Sequence, residues 1–390
     1  MSNCFSDTAT RSIFGLSLSL SLRLSLSLAL SFALSCLPSF AQTQQNERPF
    51  QVNEGQNMMF HDPNNNPDSK PNQKKGKKGK VSNKPFDPSL LTGPNGQLPP
   101  ADASLIRETV PSEGIEREFF VHVPKGYDHS QKMPLVLCFH GGFGLGSRMD
   151  ALTGLDAVSD QNGFLLVYPQ GINRHWNDGR NIDGHDRYND VQFVSDMVAH
   201  LERRWNIDTK RVYVTGVSNG GFFSQYLCLM LPDKFAACAS VGATLPDIVY
   251  HTRRPMKPVS MLYILGMADP LVPFNGGPIH YKTFRDRGSV ISAKEATQYW
   301  VKANRCQPNP RTIDLPDVDP NDGTRVKYAQ FSGGRQGSEV VVYGIEGGGH
   351  TWPGGYQYLP EGTVGKTSRD FSASQAIWDF FKTHTAAIGR

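Results

Sequence analysis

One serine in the chain stands in a setting that favours nucleophilic chemistry. Ser218 is the central residue of a Gly-x-Ser-x-Gly pattern over 216–220, which follows a run of β-forming residues and precedes a helix-capable segment over 222–231. A sharp turn between a strand and a helix strains the serine backbone and exposes its hydroxyl at the end of the sheet. Glycine at 216 and 220 lets the two backbones approach closely, because neither residue carries a Cβ. The pattern alone is common, and an incidental serine in a glycine-rich turn is the alternative.

A nucleophilic serine needs a base, and the base needs a group that orients it. His350 lies in a glycine-rich loop directly after the last predicted strand, and Asp269 lies just past the end of a buried strand. The carboxyl ends of strands are where open α/β sheets assemble their sites. The chain order Ser, Asp, His is that of the α/β hydrolases. We therefore expect Ser218, Asp269 and His350 to form a catalytic triad.

Other residues of the same types remain as alternatives. His175 and His185 also lie in polar loops rich in glycine and asparagine, but neither follows the final strand, as the base of this fold does. Asp233 and Asp247 are the alternative orienting groups, and the position of Asp233 after a proline favours a surface residue.

The charge that develops on the carbonyl oxygen of an ester needs hydrogen-bond donors. A His-Gly-Gly-Phe segment over 140–143 follows the central predicted strand, and we expect the backbone around Gly141 and Gly142 to supply one donor. The amide of Asn219, directly after the nucleophile, is expected to supply the other. We interpret His140 as a structural residue whose ring is held by a hydrogen bond that shapes this loop.

Three aromatic residues near these loops are candidates for the walls of a substrate pocket, although aromatic side chains beside glycine loops are equally often packing elements. They are Phe143, Trp176 and Trp352. No metal or organic cofactor is expected, because the cysteines form no C-x-x-C pair and no Cys/His spacing typical of a metal site, and a triad needs neither.

Strands and helices alternate along the part of the chain that carries these residues. Strands are predicted over 118–124, 133–139, 164–168, around 212, and over 236–241, 259–265 and 339–345; helices are predicted over 190–205, 222–231, 292–303 and 372–382. This alternation predicts an α/β-hydrolase fold, with a mostly parallel central sheet and helices on both faces.

The first hundred residues differ from the rest in composition. Residues 1–41 read as a secretory signal peptide, with Arg11, a long Leu/Ser run and a small-residue cleavage site at Ser39-Phe40-Ala41. Arg23 within the run would be costly in lipid, which argues against a stable membrane span. Residues 42–100 are rich in Asn, Lys and Pro and predict a disordered linker, and 101–390 form the predicted catalytic domain.

Charge is also concentrated at the front of the chain. Residues 1–100 hold ten Lys or Arg and six Asp or Glu, and so account for the whole net charge of +4. The predicted catalytic domain therefore has no basic excess, which argues against nucleic acid as its partner. The run from Lys74 to Lys80 reads as a solvated spacer, with electrostatic tethering to an acidic polymer as the alternative.

Six segments together resemble the secreted esterases grouped with polyhydroxybutyrate depolymerases and with the feruloyl and acetylxylan esterases of carbohydrate esterase family one. They are His140-Gly141-Gly142, Trp176-Asn177-Asp178-Gly179-Arg180, Asn189-Asp190-Val191-Gln192-Phe193, Gly216-Val217-Ser218-Asn219-Gly220-Gly221, Gly266-Met267-Ala268-Asp269-Pro270 and Gly349-His350-Thr351-Trp352-Pro353-Gly354-Gly355. The last is the most specific. The resemblance implies the same triad roles for Ser218, Asp269 and His350.

The chain departs from that family pattern in two places. Relatives commonly have a carboxylate pair where this chain has Asn189-Asp190. They also often have a second cysteine before the last strand, able to pair with one in the position of Cys306, whereas this chain reads Phe-Ser-Gly-Gly-Arg over 331–335. The comparison therefore implies that the bridge is absent.

These observations predict a secreted serine carboxylesterase, extracellular or periplasmic, that hydrolyses feruloyl or acetyl esters of plant polysaccharides through an acyl-enzyme. An extracellular polyhydroxybutyrate depolymerase is the alternative, with a polyester as its substrate. A remote alternative is a non-catalytic carbohydrate-binding protein of the cell surface. Fold alone does not choose among these substrates.

Overall fold

The middle of the sheet is the apolar segment Met133–Phe139, in which all seven residues are buried. Its side chains alternate between two hydrophobic clusters, with Leu135 and Leu137 in one and Val136 and Cys138 in the other. A strand that buries both faces must be covered by other elements on both sides. The fold is arranged around this requirement.

The computed structural model describes residues 104–386, except 183 and 281–286. The twelve strands within these ranges are β1 Ile106–Ser112, β2 Ile115–His122, β3 Met133–Phe139, β4 Leu165–Pro169, β5 Ile207–Val217, β6 Ala237–Val241, β7 Ser260–Gly266, β8 Gly277–Pro278, β9 Ser289–Val290, β10 Arg311–Asp314, β11 Arg325–Phe331 and β12 Val340–Glu346. The eight α-helices of this part are α1 Met149–Thr153, α2 Leu155–Asn162, α3 Asp190–Arg204, α4 Asn219–Met230, α5 Asp247–Thr252, α6 Ala293–Asn304, α7 Glu361–Val364 and α8 Ala373–Phe381.

Ten of these strands form one sheet in the order β1-β2-β4-β3-β5-β6-β7-β12-β11-β10. The central strands from β4 to β12 pair in parallel, and the outer strands β1, β2, β10 and β11 pair antiparallel. The carboxyl ends of the parallel strands therefore meet at one edge of the sheet, where open α/β sheets bind their ligands.

Helices cover the sheet on both faces. The cluster that includes Leu135 and Leu137 also contains apolar residues of α3, α4 and α6, and the cluster that includes Val136 and Cys138 contains residues of α1, α2 and α8. The chain thus has the α/β-hydrolase fold that its strand and helix pattern predicts.

The predicted elements of the central sheet are confirmed, and their bounds agree to within three residues apart from the early start of β5 at Ile207. Helix α3 begins as predicted, since the side chain of Asn189 accepts a hydrogen bond from the amide of Gln192 at 3.1 Å. The outer strands β1, β10 and β11 were not predicted. In β10 all four residues are exposed, so no apolar alternation marks this strand in the sequence.

The predicted signal peptide, linker and Lys74 to Lys80 run lie outside the described residues. Within the described ranges, no helix is both long and apolar enough to cross a bilayer. Cys138, Cys228 and Cys238 are free thiols that are buried in the hydrophobic clusters, where they pack like small apolar residues. The Cys306 thiol is also free and lies 3.7 Å from the carbonyl oxygen of Ser338.

Candidate active site

Ser218 lies at the junction of β5 and α4, with φ of 56° and ψ of −120°. Few residues other than glycine adopt a positive φ, so this backbone is strained and must be held by its surroundings. Its amide donates a hydrogen bond to the carbonyl oxygen of Val241 at 2.9 Å, which ties the turn to the end of β6. The geometry is that of the strand–turn–helix elbow expected from the sequence.

The glycines on either side of Ser218 have the close approaches that the pattern predicts. A Cβ on Gly220 would lie 2.3 Å from the carbonyl oxygen of Phe139, and a Cβ on Gly216 would lie 2.6 Å from the carbonyl carbon of Gly220. These neighbours are backbone atoms of strands and a helix, which cannot move aside. Both glycines are therefore required by packing.

His350 and Asp269 meet at the same edge of the sheet. The Nδ1 of His350 lies 2.7 Å from Oδ2 of Asp269, and both side chains are 3% exposed. Because a carboxylate can only accept, Nδ1 carries the proton, and Nε2 is the nitrogen available as a base. The hydroxyl of Tyr358 donates to the carbonyl oxygen of His350 at 3.0 Å and holds the loop.

The alternative residues are placed elsewhere or bonded differently. Asp233 is exposed and pairs with Lys257, and Asp247 is exposed at the start of α5. His175 lies on the cavity wall, but its Nδ1 is 2.8 Å from the carbonyl oxygen of Asn173, and not beside a carboxylate as in His350. Burial and the neighbouring His185 lower the pKa of His175 to about 3.

His185 packs against His175, with ring centroids 4.1 Å apart and ring planes tilted by 35°. Burial and the charge of Arg287 lower its pKa to about 4. A base must compete for the serine proton near neutral pH, and a ring with so low a pKa is a poor acceptor. Neither ring therefore displaces His350 as the candidate base.

The His-Gly-Gly loop packs directly against the nucleophile turn. A Cβ on Gly141 would lie 3.4 Å from the Cβ of Ser218, and a Cβ on Gly142 would lie 3.9 Å from the Cβ of Asn219. The next two amides of the loop are already engaged: Phe143 donates to Arg174 at 2.8 Å and Gly144 donates to Gly141 at 2.9 Å. The amides around Gly141 and Gly142 remain the candidates for the oxyanion hole, together with that of Asn219.

His140 is fully buried, and both of its ring nitrogens have partners. The amide of Gly171 donates to Nε2 at 3.0 Å, and Nδ1 lies 2.8 Å from the carbonyl oxygen of Gly141. An amide can only donate, so Nε2 is unprotonated and the ring is neutral. Burial lowers the pKa of His140 to about 4. The ring thus shapes the loop, as its interpretation from the sequence proposes.

Ser218 and His350 line a cavity of about 150 Å³. An apolar cavity of about that size accepts a single aromatic ring. Its walls combine the nucleophile turn, the His-Gly-Gly loop and a largely apolar set of side chains, among them Phe143, Met149, Phe222, Leu271, Val272 and Leu359. The cavity can therefore hold the acyl group of a small aromatic or aliphatic ester.

Of the three aromatic candidates for the pocket, only Phe143 lies on its wall. Trp176 and Trp352 are fully buried and do not line the cavity, so their interpretation as substrate-binding residues is wrong. The indole of Trp176 donates to the carbonyl oxygen of His140 at 2.9 Å, and that of Trp352 donates to Ser374 at 3.0 Å. Trp176 thus holds the His-Gly-Gly loop, and Trp352 ties its own loop to helix α8.

Several wall residues were not identified from the sequence. Leu271 and Val272 line the cavity, and their amides also donate to Oδ1 of Asp269 at 2.8 and 2.9 Å. Because they follow the predicted orienting residue Asp269 by two and three positions, the sequence could have indicated that they lie near the site. Tyr358 had no such signal, because the loop between His350 and α7 has no sequence pattern that indicates which residue contacts His350.

The sequence profile of the family described as "Putative esterase" matches residues 112–299. The chain is 31% identical over 296 residues to "Putative esterase NocK" from Nocardia uniformis subsp. tsuyamanensis, an alignment that covers 74% of this chain and 85% of that protein.

Two further relatives match a smaller part of this chain. The chain is 27% identical to "Bifunctional acetylxylan esterase/xylanase XynS20E" from Neocallimastix patriciarum over 57% of this chain and 31% of that protein. It is also 27% identical to "Feruloyl esterase B" from Piromyces equi, over 60% of this chain and 42% of that protein. The alignments thus span less than half of each of these longer proteins.

The NocK alignment extends over most of both chains. The part that matches the family profile includes the elbow and Asp269, the residue expected to orient the base. The chain therefore belongs to the esterase family and is a serine hydrolase that acts on carboxylic ester bonds.

Proposed function

We propose that the protein is an exported esterase that releases feruloyl or acetyl groups from plant polysaccharides. The observation that carries the proposal is the shared cavity of Ser218 and His350, whose wall is mainly apolar and whose size suits one aromatic ring. Relatives named as acetylxylan and feruloyl esterases support this substrate class. Export is proposed from the signal-peptide pattern of residues 1–41.

In the proposed mechanism, Nε2 of His350 takes the proton of the Ser218 hydroxyl as its oxygen attacks the ester carbonyl carbon. Asp269 holds the imidazole in the required tautomer and stabilises its positive charge. The amides of Asn219 and of the Gly141-Gly142 segment bind the oxyanion of the tetrahedral intermediate. No group in these steps requires a metal or an organic cofactor.

Collapse of the intermediate breaks the bond to the leaving oxygen, and His350 gives its proton to the departing sugar alcohol. The acyl group stays on Ser218. A water molecule then attacks the acyl carbonyl and gives its proton to His350, which returns it to the Ser218 oxygen as the carboxylic acid leaves. Each turnover thus consumes one ester and one water and restores the enzyme.

The test is acyl release from methyl ferulate, acetylated xylan and a polyhydroxybutyrate film by the purified protein. Ser218→Ala is the blank, and Ser224→Ala is its matched control, since the Ser224 hydroxyl lies in the same helix and donates to the carbonyl oxygen of Gly220. We expect ferulate or acetate release that is lost in Ser218→Ala and kept in Ser224→Ala. Clearing of the film alone would replace the polysaccharide substrate with a polyester, and turnover by Ser218→Ala would refute the mechanism.

A further inference from the structure

The side chain of Asn219 is held by the segment 176–178 through three hydrogen bonds. Its Oδ1 accepts from the amide of Trp176 at 2.8 Å, and its Nδ2 donates to the carbonyl oxygen of Trp176 at 3.1 Å and to Oδ2 of Asp178 at 2.6 Å. Asn219 is 3% exposed. The residue that follows the nucleophile is therefore fixed by its side chain as well as by helix α4.

Asp178 is itself fixed by a buried ion pair. The Nε of Arg180 donates to both of its carboxylate oxygens at 3.0 and 2.9 Å, and a terminal guanidinium nitrogen lies 2.7 Å from Oδ2. The side chains are 3% and 6% exposed. Replacing a buried ion pair by apolar residues is often neutral or stabilising, so stability alone does not account for a charge at this position.

A second buried ion pair, between Asp190 and Arg117, holds the backbone of the same segment. The amide of Asn177 donates to Oδ2 of Asp190 at 2.8 Å, and Oδ1 of Asp190 lies 2.6 Å from the guanidinium of Arg117 on β2. The Arg117 guanidinium also lies 4.0 Å from the centre of the Phe193 ring. The backbone that carries Asp178 is thus bonded through Asp190 to α3 and to strand β2 of the sheet. Asp178 therefore has little freedom to shift.

We propose that Asp178 is a positioning residue for the oxyanion hole, acting through the side chain of Asn219 on the direction of the Asn219 amide. This inference rests on the proposed function, in which that amide binds the oxyanion. Donors must lie within about 2.7–3.1 Å of the charge that develops in the transition state. A misplacement of about 1 Å can cost about a hundredfold in rate.

The contact pattern explains why a carboxylate is used. Asp178 accepts from Arg180 on one side and from Asn219 on the other, so its oxygens face only donors. An asparagine in its place would turn an NH₂ group toward one of these donors. The change from Asp178 to Asn is nearly the same in shape; it removes one acceptor and the negative charge of the clamp without opening a cavity.

The test compares Asp178→Asn, Asn219→Ala and the double variant, with Asn177→Ala as the matched control. The Asn177 side chain lies in the same segment but donates to the carbonyl oxygen of Tyr188 at 3.3 Å rather than to Asn219. We expect Asp178→Asn to lower kcat about 10- to 100-fold with KM changed by less than about threefold. We expect Asn177→Ala to keep kcat within about twofold of the parent.

The double variant distinguishes positioning from a general structural effect. If Asp178 acts through the Asn219 side chain, the double variant loses no more activity than the worse single variant, because the two changes break one contact. A boronic acid, whose adduct with Ser218 places an oxygen in the oxyanion hole, should bind the variants more weakly by a factor similar to the kcat loss. The binding of the free product acid should not change.

Three results would overturn the inference: a kcat of Asp178→Asn within twofold of the parent, losses that multiply in the double variant, or an equal loss in Asn177→Ala. If Asp178→Asn does not fold, Asn219→Ala tests the same contact from its other partner. The criteria for kcat and for boronic acid affinity are the same. Ser218→Ala is assayed in parallel. Turnover by Ser218→Ala would refute the proposed function, whereas an inactive Ser218→Ala beside a fully active Asp178→Asn would refute only the positioning role.

Discussion

The imidazole of His350 contacts one oxygen of Asp269, and the other oxygen of the same carboxylate is occupied by backbone amides. Nδ1 of His350 lies 2.7 Å from Oδ2, while Oδ1 accepts from Leu271 and Val272 at 2.8 and 2.9 Å. The carboxylate therefore cannot rotate without losing hydrogen bonds at both oxygens. This arrangement fixes the tautomer of the proposed base.

Asp269→Asn tests this relationship directly. The two amides of 271 and 272 require an oxygen, so the new NH₂ group must face His350, which then has to accept at Nδ1 and carry its proton on Nε2. Such a ring cannot take the Ser218 proton, and we expect kcat to fall about 10⁴-fold. Ester turnover and thermal unfolding are measured together; a kcat within tenfold of the parent in a folded variant would contradict the assigned role.

Gly220→Ala tests the close approach at the elbow. The new Cβ would lie 2.3 Å from the carbonyl oxygen of Phe139, which is part of the central strand. We expect a loss of about 3 kcal/mol in the free energy of unfolding, together with loss of activity as the turn shifts. Gly362→Ala is the control, because nothing lies within 4 Å of its Cβ position. Equal unfolding midpoints for the two variants in urea would show that the elbow has room.

Phe143→Ala tests which part of the substrate the cavity wall recognises. The ring lines the cavity and lies edge-on to His175 with centroids 4.4 Å apart. An aromatic pair contributes about 0.5–1.5 kcal/mol beyond the area it buries. On the proposed function we expect kcat/KM for methyl ferulate to fall about tenfold, with a smaller change for ethyl acetate. A loss of the same size for both esters would mean that Phe143 supports the loop and does not contact the acyl group.

Because the His140 ring is buried, we expect the free energy of unfolding to depend on pH. Burial lowers its pKa to about 4 in the folded protein from the ordinary value of 6.5. Below pH 6.5 the unfolded chain binds a proton that the folded ring does not take up until about pH 4. The free energy of unfolding therefore falls as the pH is lowered through this window, by about 1.4 kcal/mol per pH unit for this residue, and this contribution is constant above it.

His140→Gln removes that contribution. We expect the difference in unfolding free energy between pH 7 and pH 5 to be smaller in the variant by about 2 kcal/mol. Urea denaturation at the two pH values measures it, and the other buried histidines are the same in both proteins. An unchanged difference would show that the ring is protonated in the folded state.

The central elements could be predicted because their composition admits few alternatives. The segment over 133–139 is apolar throughout and too short for a helix, and the structure makes it the buried middle strand. The order of Ser218, Asp269 and His350 along the chain, each after a strand, places all three at one sheet edge by the topology of parallel strands alone. Local pattern and chain order therefore determined the fold and the candidate triad.

The edge strands and the pocket walls depended on packing. Exposed strands such as Arg311–Asp314 pair only because a neighbouring strand offers its edge, and their polar residues give no periodic signal. Trp176 and Trp352 are aromatic residues beside glycine loops, like Phe143, yet only Phe143 faces the cavity. Whether a ring faces a core or a pocket is set by elements distant in the chain.

The contact between Asp178 and Asn219 shows most clearly which features follow from the sequence and which depend on tertiary packing. The sequence by itself determined that an amide follows the nucleophile and that an acidic residue stands 41 positions earlier. Only the tertiary structure decided that their side chains meet at 2.6 Å, because that meeting depends on how the segment 176–178 is fastened to α3 and β2. Contacts of this kind are made by packing between segments, and local residue patterns do not contain that information.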